Sequence, residues 1–169
     1  MSGTADMETV KFLSSGEKWT VRFGRRLGAL AQPGDWLGLA GELGAGKTRL
    51  VQGLALGLGV DPAIPVTSPT FVLLQSYAGR LTLHHLDLYR LRSYEELVEI
   101  GYPELVEGSG VCVVEWWDRI EESRAERGLS IEFSILDERR RELALRPIGR
   151  RGRELLDALT QTSKAGGGR

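Results

Sequence analysis

The residues best suited to chemistry in this sequence are Gly41-Glu42-Leu43-Gly44-Ala45-Gly46-Lys47-Thr48. They fit G-x-x-x-x-G-K-[ST], in which glycines let backbone N–H groups wrap closely around a triphosphate. In that pattern Lys47 reaches the β- and γ-phosphates and the Thr48 hydroxyl sits on Mg²⁺. A helix beginning there adds its N-terminal dipole to the same anion. Guanine recognition usually needs an Asn/Thr-Lys-x-Asp loop. The chain has no Asn, and no Thr-Lys pair stands ahead of an Asp at that spacing, so ATP is favoured over GTP.

Mg²⁺–ATP chemistry also needs an acid at the end of a neighbouring strand. Glu115 ends the apolar run Val111-Cys112-Val113-Val114, and Asp87 lies in His84-His85-Leu86-Asp87-Leu88-Tyr89-Arg90. The bland alternative for each is a solvated strand-end carboxylate. His85 and Asp87 share one strand face, two residues apart, so a supporting pair is conceivable. A hydrogen-bonded structural histidine is the commoner outcome. Thr67-Ser68-Pro69-Thr70 supplies hydroxyls where the chain returns towards the phosphates, either as a switch-like segment or as a plain Ser-Pro turn. Trp116-Trp117 follows Glu115 directly, and burial of at least one indole is expected over two exposed ones.

The elements that must hold these groups follow from periodicity. Thr9 to Leu13 reads as a first strand. Ser14 and Glu17 fit a capping box, ahead of a helix with Trp19, Phe23, Leu27 and Leu30 on its inner face. Trp36 to Ala40 reads as the buried strand into the glycine loop, and Leu50, Val51, Leu54, Ala55 and Leu58 as the helix out of it, with Gly59 as the stop. Three prolines make 61–69 a loop. Phe71 to Tyr77 and Leu81 to Leu88 are joined too closely for a helical crossover, so they form an antiparallel hairpin. Ser93 and Glu96 suggest a second capping box. Val111 to Val114 suits the sheet interior, and Asp118 to Arg127 a charged helix or loop. Leu129 to Leu136 pairs across Asp137-Glu138-Arg139-Arg140 with a strand around Leu143 and Leu145, and 151–159 forms a last helix. The expected fold is α/β: a P-loop NTPase-like three-layer arrangement with a mixed parallel and antiparallel sheet, the ligand lying at the carboxyl ends of the parallel strands.

Composition narrows the class. With 169 residues the expectation is a single domain over 8–160, a flexible N-terminus at 1–7 and a disordered tail at 161–169. A net charge of −1 demands neither nucleic acid nor a membrane surface. No apolar run is long enough for a membrane span, and no signal core is visible, which points to the cytoplasm. Cys112 is the sole cysteine and lies in an apolar strand, so an inert core thiol is expected. The missing Asn and the excess of Arg over Lys fit either a heat-adapted source or a biased genome composition. The basic stretch Arg139-Arg140-Arg141, with Arg150, Arg151 and Arg153, allows a tRNA contact, although solvated edges or an anchor for an acidic partner are the simpler readings. Nothing in the sequence reads as a complete in-cis arginine finger.

Four segments in order, 41–48, 67–71, 85–91 and 114–116, resemble the TsaE (YjeE) ATPase family over roughly Glu8 to Leu145. The resemblance implies a bacterial P-loop ATPase that works with the TsaB–TsaD complex in forming threonylcarbamoyladenosine at position 37 of tRNAs reading ANN codons. Such a protein meets tRNA only through that complex, and does not itself transfer the threonylcarbamoyl group. Carried over by motif, Leu43, Gly44, Ala45, Gly46, Lys47 and Thr48 bind the phosphates. Thr48 and Glu115 hold Mg²⁺, Asp87 assists the metal or the water, and Glu17 lies near the nucleotide. Two residues depart from the pattern: Arg49 replaces a second Thr, and Trp117 a Pro or small residue. A small-molecule P-loop kinase, with Arg119, Arg124 and Arg127 as lid arginines, is the alternative enzyme. A nucleotide-dependent binding module is the alternative without useful hydrolysis. Under every one of these readings Lys47→Ala abolishes nucleotide binding, which isothermal calorimetry against the parent chain tests directly.

Overall fold

The computed structural model describes residues 8–165, with side chains described to residue 161. Seven strands form one sheet: β1 (Val10–Ser14), β2 (Trp36–Gly41), β3 (Leu74–Tyr77), β4 (Leu83–Asp87), β5 (Val111–Glu115), β6 (Gly128–Ile135) and β7 (Arg141–Ile148). Their spatial order is β1-β7-β6-β2-β5-β4-β3. Strands β4, β5, β2 and β6 run parallel, while β1, β7 and β3 are antiparallel to their neighbours. Helices α1 (Glu17–Leu30), α2 (Lys47–Gly57) and α5 (Gly149–Ala165) cover one face. The short helices α3 (Tyr94–Glu99) and α4 (Tyr102–Glu107) pack with two 3₁₀ turns over the other face, around Trp36, Leu86, Cys112 and Val114. The mixed three-layer expectation is therefore met.

Strand β5 lies between β2 and β4 and is buried along its whole length, as its unbroken apolar run requires. Cys112 is part of that core, and burial pushes its thiol up to about 12, so it is inert at neutral pH. At the amino ends of the parallel strands, buried Asp35 receives the Arg151 guanidinium at 2.9 Å through both Nε and Nη2, and the Gln32 N–H at 2.8 Å. Arg127 adds a longer contact at 3.4 Å. This pair ties α5 to the start of β2, at the opposite end of the sheet from the glycine loop.

Several local expectations are corrected. Ser14 does not cap α1, because it is still the last residue of β1, paired with Arg141. Its hydroxyl instead accepts the Gly16 N–H at 3.3 Å and lies 2.8 Å from the Thr20 hydroxyl, and Gly16 occupies the cap position. At α3, Ser93 is at the cap but makes no side-chain bond; Glu96 accepts the Arg92 N–H instead. Strand β3 begins at Leu74 rather than Phe71, because Leu73 takes a left-handed φ of 68° and its N–H closes a turn onto Pro69. Helix α4 has no counterpart in the sequence reading. The last helix continues past Leu159 to Ala165, and the rest of the expected tail and residues 1–7 lie outside the described residues.

Helices α1 and α2 approach so closely that glycine is required at their contact. A Cβ on Gly53 would stand 2.0 Å from the Val21 carbonyl oxygen, and one on Gly24 would stand 2.3 Å from that of Leu50. Since both obstacles are backbone, no side-chain rotation relieves them. Gly53→Ala gains up to about 1 kcal/mol in helix propensity. Overpacking costs more, and we expect a net loss of about 2 kcal/mol. It should appear as a lower denaturant midpoint at unchanged m-value.

Candidate nucleotide and metal site

The glycine loop leaves β2 at Gly41 and enters α2 at Lys47. Gly44 and Gly46 take φ values of 80° and 105°, a region costly for any side chain. These two turns swing the chain so that the amino end of α2 faces a cleft of about 1030 Å³. Leu43, Gly44, Ala45, Gly46, Lys47 and Thr48 all line it. Leu43 is exposed at the loop tip, whereas Ala45 is buried against the core.

Lys47 is 5% exposed and folded back on its own loop. Its Nζ donates to the Gly41 carbonyl at 2.5 Å and to that of Glu42 at 3.0 Å, and stands 4.1 Å above the Trp116 ring. Burial pulls the ammonium below its ordinary range, while Glu115, Asp87 and Asp118 oppose that shift. These carbonyl bonds hold the cation against its own loop at the floor of the cleft.

Both predicted acids converge here. The parallel register sets Asp87 of β4 opposite Glu115 of β5, each 2% exposed. Neither is a solvated strand end. Glu115 Oε1 accepts the Thr48 hydroxyl at 3.1 Å. Its Oε2 meets Nε2 of His85, which is completely buried. A carboxylate can only accept, so that contact places the imidazole proton on Nε2. The His85 Nδ1 atom is buried without a partner among the described residues. The sequence associates His85 with Asp87; the structure gives it to Glu115. Two-residue alternation puts the histidine on the right face, but only the β4–β5 register reveals its diagonal neighbour.

Asp87 serves the returning loop instead. Its Oδ2 accepts the Ser68 hydroxyl at 2.7 Å and the Thr70 hydroxyl at 3.0 Å, while Oδ1 accepts the Tyr89 N–H at 2.9 Å. Ser68 and Thr70 line the same cleft, and Thr67 is exposed beside them. Glu17, the first residue of α1, lines the opposite edge with its carboxylate 3.5 Å from Arg49 Nε. Arg49, a departure from the family pattern, thus bridges α2 to α1 at the cleft rim. Both indoles are half-buried: Trp117 packs edge-on against Trp36, and Trp116, at φ 59°, lies between Lys47 and Tyr89.

The donor set suits Mg²⁺. Among the described residues no three His, Cys, Asp or Glu side chains form a metal cage. Magnesium bound with a nucleotide takes one or two protein oxygens and fills its shell with phosphate and water. Thr48 Oγ1 and Glu115 Oε1, already 3.1 Å apart, are such a pair.

The basic stretches divide between the two ends of the sheet. Arg151 and Arg127 serve Asp35, and Arg150 pairs with Glu154 on the surface. Arg119 lies 5.2 Å from the Tyr89 ring centre. None of Arg119, Arg124 and Arg127 lines the cleft, which removes the lid arginines that a kinase reading requires. Arg139 and Arg141 do line it, and nothing in their local sequence announces that.

The family model described as "Threonylcarbamoyl adenosine biosynthesis protein TsaE" matches residues 14–143. This chain belongs to the TsaE family. The tRNA threonylcarbamoyladenosine biosynthesis protein TsaE of Treponema pallidum is 47% identical over 126 residues, covering 75% of this chain and 92% of that protein. The Bacillus subtilis protein of the same name is 36% identical over 156 residues, covering 92% and 96%. The crystal structure of Bacillus subtilis YdiB superposes with a TM-score of 0.80 at 32% identity, over 92% of this chain and 97% of that one. The matched span contains every element that contributes to the cleft, from Ser14 through the β6–β7 turn. No described helix is long and apolar enough to cross a membrane.

The two hydroxyls on Asp87 hold the 67–70 segment against the site. Each bond to a charged acceptor contributes about 1.5–3 kcal/mol. Ser68→Ala combined with Thr70→Ala should therefore raise amide exchange across 67–73 by at least about tenfold while leaving β5 unchanged, as read by mass spectrometry.

Proposed function

We propose that this chain is a Mg²⁺-dependent ATPase of threonylcarbamoyladenosine biosynthesis, cytoplasmic, slow when alone and gated by a TsaB–TsaD complex, through which it meets tRNA. The observation that carries the reading is the convergence of Lys47, Thr48, Glu115 and Asp87 at the carboxyl ends of β2, β5 and β4, around a cleft large enough for a nucleotide. Glu17, which lines the cleft from the start of α1, is assigned to the vicinity of the nucleotide.

When bound, Mg²⁺ would supply charge neutralisation at the β- and γ-phosphate oxygens. The protein groups divide the remaining work. The turns at Gly44 and Gly46 direct backbone N–H groups at the phosphate chain. Lys47 would exchange its two carbonyl acceptors for phosphate oxygens. Thr48 and Glu115 form the protein side of the metal site, with His85 holding Glu115 in orientation. Asp87 joins the 67–70 segment to the reacting end, so displacement of Ser68 or Thr70 would free its carboxylate to orient the attacking water or to assist in holding the metal.

This division supports partner gating. Thr67, Ser68, Phe71 and Val72 present this segment to a partner at the surface, and the Ser68 and Thr70 hydroxyls are held by a carboxylate inside the site. Turnover by the isolated chain should be slow and should rise when TsaB–TsaD is added; fast turnover indifferent to the partners would overturn the reading. Glu115→Ala and Asp87→Ala should retain ATP affinity while hydrolysis falls by at least about a hundredfold in one of them. Equal, parental turnover in both would remove the roles given to these acids.

A further inference from the structure

The β6–β7 hairpin is remote from the glycine loop in sequence yet forms one wall of the cleft. Asp137 organises its turn, accepting the N–H groups of Arg139 at 3.0 Å and Arg140 at 2.7 Å and the Arg140 guanidinium at 2.6 Å. These donors hold the Asp137 carboxyl down at about 2, so the turn keeps its anion throughout the neutral range. Arg140 is consumed by this contact, while Arg139 and Arg141 are directed elsewhere and both line the cleft.

Arg141 is held by carbonyls only. Its Nη1 donates to the Asp137 and Arg140 oxygens at 2.7 and 3.0 Å, and its Nη2 reaches the Gly44 oxygen, 97 residues away, at 3.4 Å. Among the described residues neither Arg139 nor Arg141 takes part in an ion pair. One acid, Glu138, shares their wall. Carbonyls orient a guanidinium without neutralising it, so a positioned, uncompensated charge stands beside the loop that receives phosphates.

The geometry points to Arg141, assisted by Arg139, as an in-cis polyphosphate clamp that closes the nucleotide cleft from the β6–β7 hairpin. This assignment rests on the nucleotide reading above and extends it to a strand outside the glycine-loop motif. The expected ligand chemistry is the phosphate chain rather than the base, since a guanidinium fork matches two phosphate oxygens. The alternative is mechanical: Arg141 only ties the hairpin to Gly44 and never touches ligand.

Charge and hydrogen bonding separate these two roles. Arg141→Lys keeps the cation, whereas Arg141→Gln keeps a polar amide donor and discards the charge. Calorimetry on the full chain, with ATP and separately with inorganic tripolyphosphate, reads the difference. If the clamp holds, Arg141→Gln and Arg141→Ala weaken both ligands by about ten- to a hundredfold, and Arg141→Lys stays within about fivefold of the parent. Parental affinity in Arg141→Gln would show a tether only and overturn the clamp. Should the Arg141 variants fail to fold, Arg139→Ala at the exposed neighbouring position decides, with a loss of about threefold or more expected and no loss counting against the clamp. Failure of the parent chain to bind ATP would remove the nucleotide reading and the clamp with it. Binding by the parent together with indifference of the variants would remove the clamp alone.

Discussion

Two carboxylates enclosed side by side at neighbouring strand ends repel unless each is separately satisfied, and the organisation of this site follows from that constraint. Asp87 and Glu115 are opposite residues of a parallel pair, both almost wholly out of solvent. Burying an ionised carboxylate is costly without donors. The structure meets the cost by giving the two acids different donors. Glu115 is turned towards Thr48 and His85, while Asp87 is turned towards Ser68, Thr70 and the Tyr89 N–H. A chemical division results from an electrostatic necessity: one acid is tied to the first turn of α2, the other to the 67–70 loop. Lys47, drawn close to both and to the Trp116 ring, offsets part of the remaining negative charge.

The opposite end of the sheet carries a second buried charge system with a different purpose. Asp35 is as buried as the two acids of the cleft but is met by a bidentate arginine from α5. Such a pair adds little net stability over an apolar replacement, yet losing one partner leaves an unpaired buried charge. The domain thus keeps its permanently paired ions where the parallel strands begin, and its exchangeable hydrogen bonds where they end. The face covered by α1 and α2 is locked by glycine-mediated backbone contact, so the helix behind the glycine loop has little room to shift when ligand arrives.

The hairpin of β6 and β7 illustrates how a basic segment is misjudged in one dimension. Three consecutive arginines look like a solvated edge or a nucleic-acid patch. In three dimensions Arg140 closes its own turn, and Arg139 and Arg141 flank the cleft. Likewise Arg151, read as part of the same basic stretch, is a half-buried structural partner of Asp35 on another element. Strand pairing distributes neighbouring residues of like charge to unlike environments, because alternate side chains leave opposite faces and turns reverse the chain.

The sequence by itself determined the glycine loop, its flanking strand and helix, the two candidate acids, the antiparallel hairpins and the mixed sheet. Each depends on short-range rules: positive-φ glycines, apolar runs, and connections too short for a crossover. The tertiary structure alone decided that His85 belongs to Glu115, that Asp87 takes the hydroxyls of the 67–70 segment, and that Arg141 reaches Gly44. It also moved the start of the first helix from Ser14 to Gly16, where strand pairing overrode the local capping pattern, and at Ser93 it kept the cap position but sent the Glu96 carboxylate to the backbone N–H one residue earlier. These contacts join residues far apart in the chain through strand order and register, and no periodicity within a single segment encodes which strand lies beside which.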